Sequence, residues 1–300
     1  MVAHITVVPA STQAGKETIR LLLESKGKPV VRGIYRDPSK APVEFTRQPD
    51  FEAVQGDVAT GTGLDFSTSN AVFYIPPPTY DGTYQGEFAT RASLNVKNAL
   101  QRAPSVKRLV LHSSMGAQYD HGIGVLRLNH IADRILRSAA SEVVIVKPGY
   151  YYENWLSALK SMKEEPPSFE SPISPPDYKI PMVSVRDVGE YCAEALLDKS
   201  TRPAFHCIDV FGPRLYSSLD VKRSIEEVTG KDGTLVTIEK DKLVEYFAHH
   251  VPEVYAQEFA DMVTAMLPGG IMAGDFEPGE NSVRGKLELG DVLRHMLSLV

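Results

Sequence analysis

The chain has few of the residues that mark several large classes of protein. Its 300 residues include only 2 cysteines, and neither Cys192 nor Cys207 lies in a CxxC or Cys/His spacing. We therefore expect two free thiols in a reducing cytoplasm, with no disulfide framework and no bound metal. No apolar run approaches the length of a membrane span, and the N-terminus lacks a basic segment followed by an apolar one. A membrane partner is therefore not expected.

Neither sign of charge dominates the chain. It has 32 basic and 38 acidic residues, which gives a formal net charge of -6, and no cluster of Lys or Arg could follow a phosphate backbone. Nucleic acid is therefore not expected as a partner. The length suits one large α/β domain with a smaller appended lobe.

Apolar, β-branched runs recur along the first half of the chain, and the segments between them are long enough to hold helices. Strands that alternate with helices are typical of a parallel sheet built from right-handed crossovers. The predicted fold class is therefore α/β, a doubly wound parallel Rossmann sheet with a smaller C-terminal lobe. The predicted strands cover residues 4–8, 30–35, 71–75, 108–111 and 143–146, and the predicted helices cover residues 13–25, 92–101 and 132–141.

The character of the sequence changes after Pro148. Residues 150–181 contain six prolines and many aromatic residues, so they cannot form one regular element. Here we predict short elements joined by loops, in a lobe that folds against the open edge of the sheet. They are helices over residues 153–163, 186–197, 219–228 and 240–250, strands over 179–185 and 205–210, and a loop over 164–177.

The first predicted strand leads through a tight turn into the first predicted helix. In dinucleotide-binding folds such a turn carries glycines, so that bare backbone can approach the pyrophosphate at the helix N-terminus. Here the glycine positions are Pro9, Thr12 and Gly15, so only the third glycine is present. Pro9 lacks a backbone donor and Thr12 adds a Cβ. A pyrophosphate is therefore expected to lie farther out, or to bind the hydroxyls of Ser11 and Thr12.

Several stretches, taken together in their order and spacing, resemble the NmrA-like proteins. These are atypical short-chain dehydrogenase/reductase relatives that include fungal regulators and tailoring enzymes, and the likeness runs from about residue 4 to about residue 230. The resemblance implies a bound NADP(H) and a small-molecule substrate. The stretches that carry it are ASTQAGKETIRLLL, VRGIYRDPSK, VQGDV, RLVLHSSMGAQ, VKPGYYYENW and VSVRDVGEYCAEAL.

Arg36 directly follows the second predicted strand, where dinucleotide folds place the residue that meets the adenosine ribose. An arginine there can bind the 2′-phosphate of NADP, whereas an acidic residue would favour NAD. NADP is therefore the predicted cofactor, although Asp37 follows at once and Arg36 could also be a solvated charge. Asp57 matches the family position that meets the adenine amino group, and an N-cap for the next segment is the alternative.

The segment after the predicted strand over residues 108–111 lacks the usual catalytic pair of short-chain dehydrogenases. The pair is a tyrosine with a lysine four residues later. Here the residue four positions after Tyr119 is Ile123, so the pair is absent. Asn129 stands where redox-active relatives often have a lysine, and it can only hydrogen-bond a ribose hydroxyl. Tyr119 or His130 could supply the missing proton, and the alternative is that each is a polar residue satisfied on a loop or helix face.

The stretch PGYYYEN follows the predicted strand over residues 143–146 and matches a family signature. The resemblance implies that this signature lies beside the nicotinamide. Its tyrosines and Trp155 could form an aromatic surface for a ring substrate, and the alternative is that some of these rings seal the lobe. The resemblance implies a cofactor site made of Pro9, Ala10, Ser11, Thr12, Gln13, Gly15, Arg36, Asp57, Pro76, Ser113, Asn129, Pro148, Tyr151 and Asn154. The expected substrate contacts are Ser114, Met115, Tyr119, Tyr152 and Trp155, and the catalytic candidates are Tyr119, Asn129 and His130.

Three functions are compatible with these features, since fold alone does not choose among them. The first is an NADP-dependent reductase of a small aromatic or alkaloid-like metabolite in fungal secondary metabolism. The second is a cyclase or isomerase on the same fold, and the third is an NADP sensor that docks on a protein partner. In each case we expect residues 1–148 and 186–217 to bind NADP, and residues 149–185 and 218–300 to form the substrate lobe.

Overall fold

The protein, seen in a computed structural model, alternates strands and helices along its first half and has shorter elements in its second. The structure describes residues 2–200 and 203–299. The strands are β1 His4–Val8, β2 Val30–Tyr35, β3 Phe51–Gln55, β4 Ala71–Tyr74, β5 Arg108–His112, β6 Glu142–Pro148, β7 Tyr150–Tyr151, β8 Ser168–Ser171, β9 Ile180–Val183, β10 Phe205–Phe211, β11 Leu215–Tyr216, β12 Thr234–Thr237 and β13 Ser282–Arg284. The helices are α1 Gln13–Glu24, α2 Val43–Thr46, α3 Gln85–Gln101, α4 Arg127–Leu136, α5 Leu156–Ser161, α6 Val185–Leu197, α7 Ser218–Thr229, α8 Leu243–Ala248, α9 Glu253–Met266 and α10 Leu289–Ser298.

The main sheet has eight strands in the order β13-β10-β6-β5-β4-β1-β2-β3. Neighbouring strands run parallel, as in the pairs of β1 with β2 and with β4. The part β3-β2-β1-β4-β5-β6 is the strand order of a dinucleotide-binding sheet, with helices on both faces. The predicted doubly wound α/β fold is therefore confirmed.

The middle residues of β4, β5 and β6 are apolar because these strands are covered on both faces. Every residue of β4 and β5 is buried, which explains why these segments show no polar alternation. Residues of β1, β4, β5 and β6 pack with the buried side of α3 in one hydrophobic cluster. In the described part of the chain, no helix is long and apolar enough to cross a membrane. Cys192 is buried and Cys207 half-buried, and neither forms a disulfide within the described residues.

The chain divides into two compact units. The first contains residues 2–117, 127–147 and 188–208, and the second contains residues 118–126, 148–187 and 209–299. The second unit has a small sheet in the order β11-β9-β7, a parallel pair of β8 and β12, and helices α7 to α10.

Most predicted elements of the first unit are present, but one helix was misplaced. Residues 137–141 are not helical, and α4 lies earlier, over Arg127–Leu136. The helix ends at Leu136, and the Ala139 amide donates to the Leu136 carbonyl in the turn that follows. Asn129, His130 and Asp133 therefore all lie on α4.

The second unit differs more from the prediction. The predicted loop over residues 164–177 contains β8, and the predicted helix over residues 153–163 is a 3-10 turn followed by the short helix α5. Helices α9 and α10 were not predicted. The strands here are only two to four residues long and pair with distant segments, so periodicity within a short window cannot reveal them.

Candidate functional site

The turn between β1 and α1 is closed by Thr12, which is the N-cap of the helix. The Thr12 hydroxyl accepts a hydrogen bond from the Gly15 amide at 3.0 Å and donates one to the Pro9 carbonyl at 3.1 Å. A Cβ at Gly15 would lie 2.7 Å from Thr12 Oγ1 and 2.9 Å from the Pro9 oxygen. Gly15 is therefore required by packing, which explains why the third glycine is retained while the others are replaced.

The same turn has the features of an anion site. Ser11 and Gln13 are exposed, and α1 has no acidic residue in its first turn. The first amides of a helix have no partner within it and carry a partial positive charge. The Thr12 hydroxyl is engaged in the cap, whereas the Ser11 hydroxyl makes no hydrogen bond to any residue that the structure describes. Of the two hydroxyls considered for a pyrophosphate, that of Ser11 is the available one.

Arg36 and Asp37 have separate roles at the end of β2. The Asp37 carboxylate accepts hydrogen bonds from the Ser39 hydroxyl at 2.7 Å and the Ser39 amide at 3.0 Å, and these bonds lower the pKa of Asp37. Arg36 is exposed, and its guanidinium has no hydrogen bond or ion pair within residues 2–200 and 203–299. The carboxylate is therefore occupied by the next turn, while the guanidinium remains available to an anion.

The first unit brings the β1 turn and the end of β2 to one edge of the sheet. The Ala10 amide donates to the Ile34 carbonyl at 2.9 Å, which ties the turn to the strand that precedes Arg36. At the next connection, Asp57 Oδ1 accepts from the Ala59 amide at 2.8 Å. This bond closes a turn, and no helix begins in the described segment between β3 and β4, so Asp57 is not a helix N-cap and its contact with adenine stays a prediction.

The remaining predicted site residues differ in exposure. Gln13 and Asn154 are exposed, while Pro9, Asp57, Ser114, Tyr119, His130 and Tyr151 are half-buried. Pro76, which follows β4, and Pro148, which ends β6, are both buried at the ends of these strands. The other buried members of the predicted set are Ala10, Gly15, Ser113, Met115, Asn129, Tyr152 and Trp155.

Residues at the end of β5 contact α4. The Ser113 amide donates to the Val146 carbonyl of β6 at 2.7 Å, and its hydroxyl donates to Asp133 Oδ2 at 2.8 Å. Asn129 lies one helical turn before Asp133, so the two share a face of α4. The Asn129 amide makes no hydrogen bond within the described part of the chain, which leaves it free to bind a ligand hydroxyl.

The imidazole rings of His130 and His112 are both constrained by their surroundings. His130 Nδ1 lies 2.9 Å from the Ala117 carbonyl, and because a carbonyl only accepts, Nδ1 carries the proton. In the neutral ring Nε2 then has none to give. Burial lowers the pKa of His112 to about 4, so this ring is neutral near pH 7.

Asp133 is a carboxyl group that sequence reasoning did not single out. Burial raises its pKa to about 7, while the hydrogen bond from Ser113 and the positive charge of Lys147 oppose the rise. Its Oδ1 atom is buried and has no hydrogen-bond partner. An acidic residue four positions after Asn129, on the side of α4 that holds Leu128, Ala132 and Leu136, was the signal that could have identified it.

In the second unit, the Tyr119 hydroxyl is bound to a carboxylate. It donates to Asp275 Oδ1 at 3.2 Å, and Gln118 Nε2 donates to Asp275 Oδ2 at 2.7 Å. Burial and then the Asp275 charge raise the pKa of Tyr119. The phenol is therefore a weaker acid than a free tyrosine, and Asp275 is a partner that the sequence did not indicate.

The aromatic residues of PGYYYEN belong largely to the core of the second unit. Tyr152 and Trp155 are 0% and 2% exposed. The Tyr150 and Trp155 ring centroids lie 6.0 Å apart, and Tyr152 meets Tyr216 edge-on at 5.3 Å. This burial supports the alternative in which Tyr152 and Trp155 seal the unit, and leaves Tyr150 and Tyr151 as the half-exposed rings.

Glu153 of the same stretch caps α6. Its carboxylate accepts from the Val185 amide at 3.0 Å and from the Ser184 hydroxyl at 3.1 Å. A carboxylate at a helix N-terminus satisfies free amides and offsets the positive end of the dipole. This member of the family signature therefore has a structural role.

We expect Glu153→Ala to lower the free energy of unfolding by about 1–3 kcal/mol, because the Val185 amide and the Ser184 hydroxyl lose their acceptor. Glu153→Gln, whose amide oxygen can still accept one bond, should lose less. Urea unfolding of both variants measures the difference. Equal stability of Glu153→Ala and the parent protein would contradict the capping role.

The stability of the protein should depend on pH through Asp133. An unfolded aspartate has a pKa of about 3.9, so between about pH 4 and pH 7 the folded protein holds a proton that the unfolded chain has lost. Stability therefore falls as pH rises through this range. Asp133→Asn has no carboxyl group to ionise at this position. Its free energy of unfolding should therefore exceed that of the parent by up to about 4 kcal/mol between pH 4 and pH 8.

Urea unfolding across that pH range measures the effect. The matched control is Asp65→Asn, because hydrogen bonds to Ser67 lower the pKa of the exposed Asp65. The control should not show the gain. If the free energies of unfolding of Asp133→Asn and the parent change with pH in the same way, the raised pKa of Asp133 is disproved.

Comparison with known proteins assigns the family. The model of the NmrA-like family matches residues 1–284. The chain therefore belongs to the NmrA-like family, which agrees with the resemblance found in its motifs. No curated protein sequence matches it.

Solved structures with the same fold include several reductases. An NADPH-dependent quinone oxidoreductase from Escherichia coli, complexed with NADPH, is 16% identical over 97% of this chain and 99% of its own, with a TM-score of 0.76. The triphenylmethane reductase of a Citrobacter species is 15% identical over 99% of both chains, with a TM-score of 0.75. AtPrR2 with NADP+ and (+)pinoresinol is 13% identical over 99% of both chains, with a TM-score of 0.69. At such identities the likeness establishes the fold.

Within the described residues, no group of three or more metal-binding side chains lies close enough to hold an ion. Among the predicted site residues of the first unit, Ser11, Gln13, Arg36 and Asn129 have side-chain polar groups that make no hydrogen bond within the described residues. They suit an anionic ligand with hydroxyl groups.

Proposed function

We propose that the protein is an NADP(H)-dependent reductase of a small aromatic or alkaloid-like metabolite in fungal secondary metabolism. The observation that carries the proposal is the pairing of an open helix N-terminus with an uncommitted guanidinium at the same sheet edge. Ser11 and the first amides of α1 fit a pyrophosphate, and Arg36 fits a 2′-phosphate. NADP(H) has both groups, whereas NAD has no 2′-phosphate.

The residues of the first unit would hold the cofactor. Ser11 and Gln13 would bind the pyrophosphate, Arg36 the 2′-phosphate and Asn129 a ribose hydroxyl. Asp57 and Pro76 would flank the adenosine, while Ser113 would meet the nicotinamide end. Pro148, Tyr151 and Asn154 belong to the second unit, and their contacts with the cofactor stay predictions. When bound, NADPH would supply a hydride for a C=C, C=O or C=N bond of the substrate.

The proposed substrate class is supported by the aromatic character of the chain and by its structural neighbours. Tyr151 is a half-buried aromatic residue, and a ring of this kind can stack on a flat substrate. The neighbours named above are a quinone oxidoreductase, a triphenylmethane dye reductase and a protein bound to pinoresinol. We propose that the second unit forms the substrate-binding lobe, with Tyr119 among its contacts. Ser114 and Met115 belong to the first unit, and their contacts with the substrate stay predictions.

A second candidate function is an NADP sensor that binds the cofactor without turnover. It is favoured by Asn129, which cannot replace a lysine cation, and by the Tyr119 hydroxyl, which is held by Asp275. A cyclase or isomerase would also tolerate both features. Reduction remains the primary proposal because relatives with a similar fold include NADPH-dependent oxidoreductases.

We expect Arg36→Ala to weaken NADPH binding by about 10- to 100-fold, because a charged hydrogen-bond donor to the 2′-phosphate is lost. Binding of NADH should change little. Isothermal titration calorimetry with both nucleotides measures the ratio. Lys40→Ala is the matched control, since Lys40 is another exposed cation in the segment after β2.

An equal loss of NADPH and NADH affinity would argue against a 2′-phosphate site at Arg36. The absence of binding by either nucleotide at millimolar concentration would remove the cofactor itself from the proposal.

The reductase is tested with NADPH and a panel of aromatic quinones, enones and imines. We expect oxidation of NADPH with at least one compound. One of the two residues Tyr119 and His130 is expected to donate the proton. The variant of that residue, Tyr119→Phe or His130→Ala, should lower kcat by about 10²- to 10⁴-fold. The other variant should retain the parental rate within a few-fold. Binding of NADPH without oxidation across the panel would instead favour the sensor.

A further inference from the structure

Ser113 and Asp133 form a hydroxyl–carboxyl pair at the carboxyl end of β5. Their oxygens Oγ and Oδ2 lie 2.8 Å apart. The Ser113 amide is anchored to β6 through the Val146 carbonyl, and Asp133 is held on α4. Both groups therefore have fixed backbones, and what can change between them is the position of a proton.

The surroundings of Asp133 favour a carboxyl group that keeps a proton. Its Oδ1 atom is buried without a hydrogen-bond donor, and an ionised oxygen in that position has a large desolvation cost. Lys147, the next residue after Val146 on β6, is the charged group that acts on this carboxyl. The two residues form no ion pair within the part of the chain that the structure describes, so the charge is only partly offset.

The proton decides which way the Ser113 hydroxyl can donate. An ionised carboxylate only accepts, so Ser113 must direct its proton toward Asp133. A protonated carboxyl can itself donate to Ser113 Oγ, which frees the serine proton for another acceptor. The pair thus has two hydrogen-bonding states at the end of the sheet where open α/β folds bind their ligands.

We propose that Asp133 is a positioning residue that sets the direction of the Ser113 hydroxyl, so that the protonated pair donates a hydrogen bond to a carbonyl or imine group of a bound substrate and the ionised pair does not. The exchange of the proton within the pair stands by itself. The contact with substrate rests on the proposed function.

The proton state is tested on the ligand-free protein by nuclear magnetic resonance with aspartate labelled at the carboxyl carbon. We expect one resonance, absent from Asp133→Asn, to titrate with a midpoint near pH 7, because the pKa of Asp133 is raised to about 7. Asp65→Asn should remove a resonance that titrates below the usual range of an aspartate, because hydrogen bonds to Ser67 lower the pKa of Asp65. In Ser113→Ala the midpoint of Asp133 should rise, since the hydrogen bond that stabilises the carboxylate is lost.

A carboxyl resonance of Asp133 that shows full ionisation throughout the neutral range would overturn the inference. An unchanged midpoint in Ser113→Ala would overturn the pairing. Neither result depends on a cofactor.

The ligand contact is tested by the affinity for 1,4-naphthoquinone, measured by calorimetry in the presence of NADP+, so that no turnover occurs. The affinity of the parent protein should fall several-fold as pH rises through 7. In Asp133→Asn the amide donates to Ser113 Oγ at every pH, so the affinity should stay high and flat. Asp133→Glu should restore the pH dependence, and Ser113→Ala should give a low, flat profile.

Identical pH profiles for the parent and Asp133→Asn would overturn the positioning role. If naphthoquinone fails to bind at any pH although Asp133 titrates as expected, the contact with substrate is disproved and the proton-sharing pair is retained. A failure to bind NADP+ would overturn the proposed function. The affinity for naphthoquinone is then measured without the nucleotide, and the comparison of the parent with Asp133→Asn across pH decides the contact with substrate.

Discussion

The parallel pairing of β1 with β2 and β4 is the constraint on which the rest of the first unit depends. Parallel strands share a direction, so the segments that leave β1, β2, β4 and β5 all emerge at the same edge of the sheet. Helical crossovers on both faces then bury the central strands β4 and β5, which is why neither strand alternates between polar and apolar residues. The edge is where backbone amides and polar side chains lose their partners in the sheet.

The polar groups at that edge fall into two kinds. Some are committed to local structure: Thr12 caps α1, Asp37 closes the turn after β2 and Asp57 bonds to the Ala59 amide. Others have no such commitment, and Arg36 is the clearest of them. A turn with only one of its glycines can therefore retain the physical basis of an anion site, because helix amides and a nearby cation do not depend on glycine.

The motifs predicted much of the first unit because their signals are local. β1 and β2 were predicted at their observed boundaries, since each is a short run rich in apolar, β-branched residues. In the second unit, β8 pairs with β12 across more than sixty residues, and neither strand is apolar enough to stand out. Pairings of that kind are decided by packing between distant segments. The aromatic rings of Tyr152 and Trp155 illustrate the same limit, because their sequence positions do not show that they are buried.

The sequence by itself determined the fold class, the family and the place of the turn, because periodicity, glycine and charge at a strand end act over short distances. Only the tertiary structure decided which groups are available. It engaged the Thr12 hydroxyl in a cap, bound Tyr119 to Asp275, and left the guanidinium of Arg36 without a partner among the described residues. It also buried Asp133 beside Ser113, since the proton affinity of a carboxyl group depends on the solvent and charges that surround it.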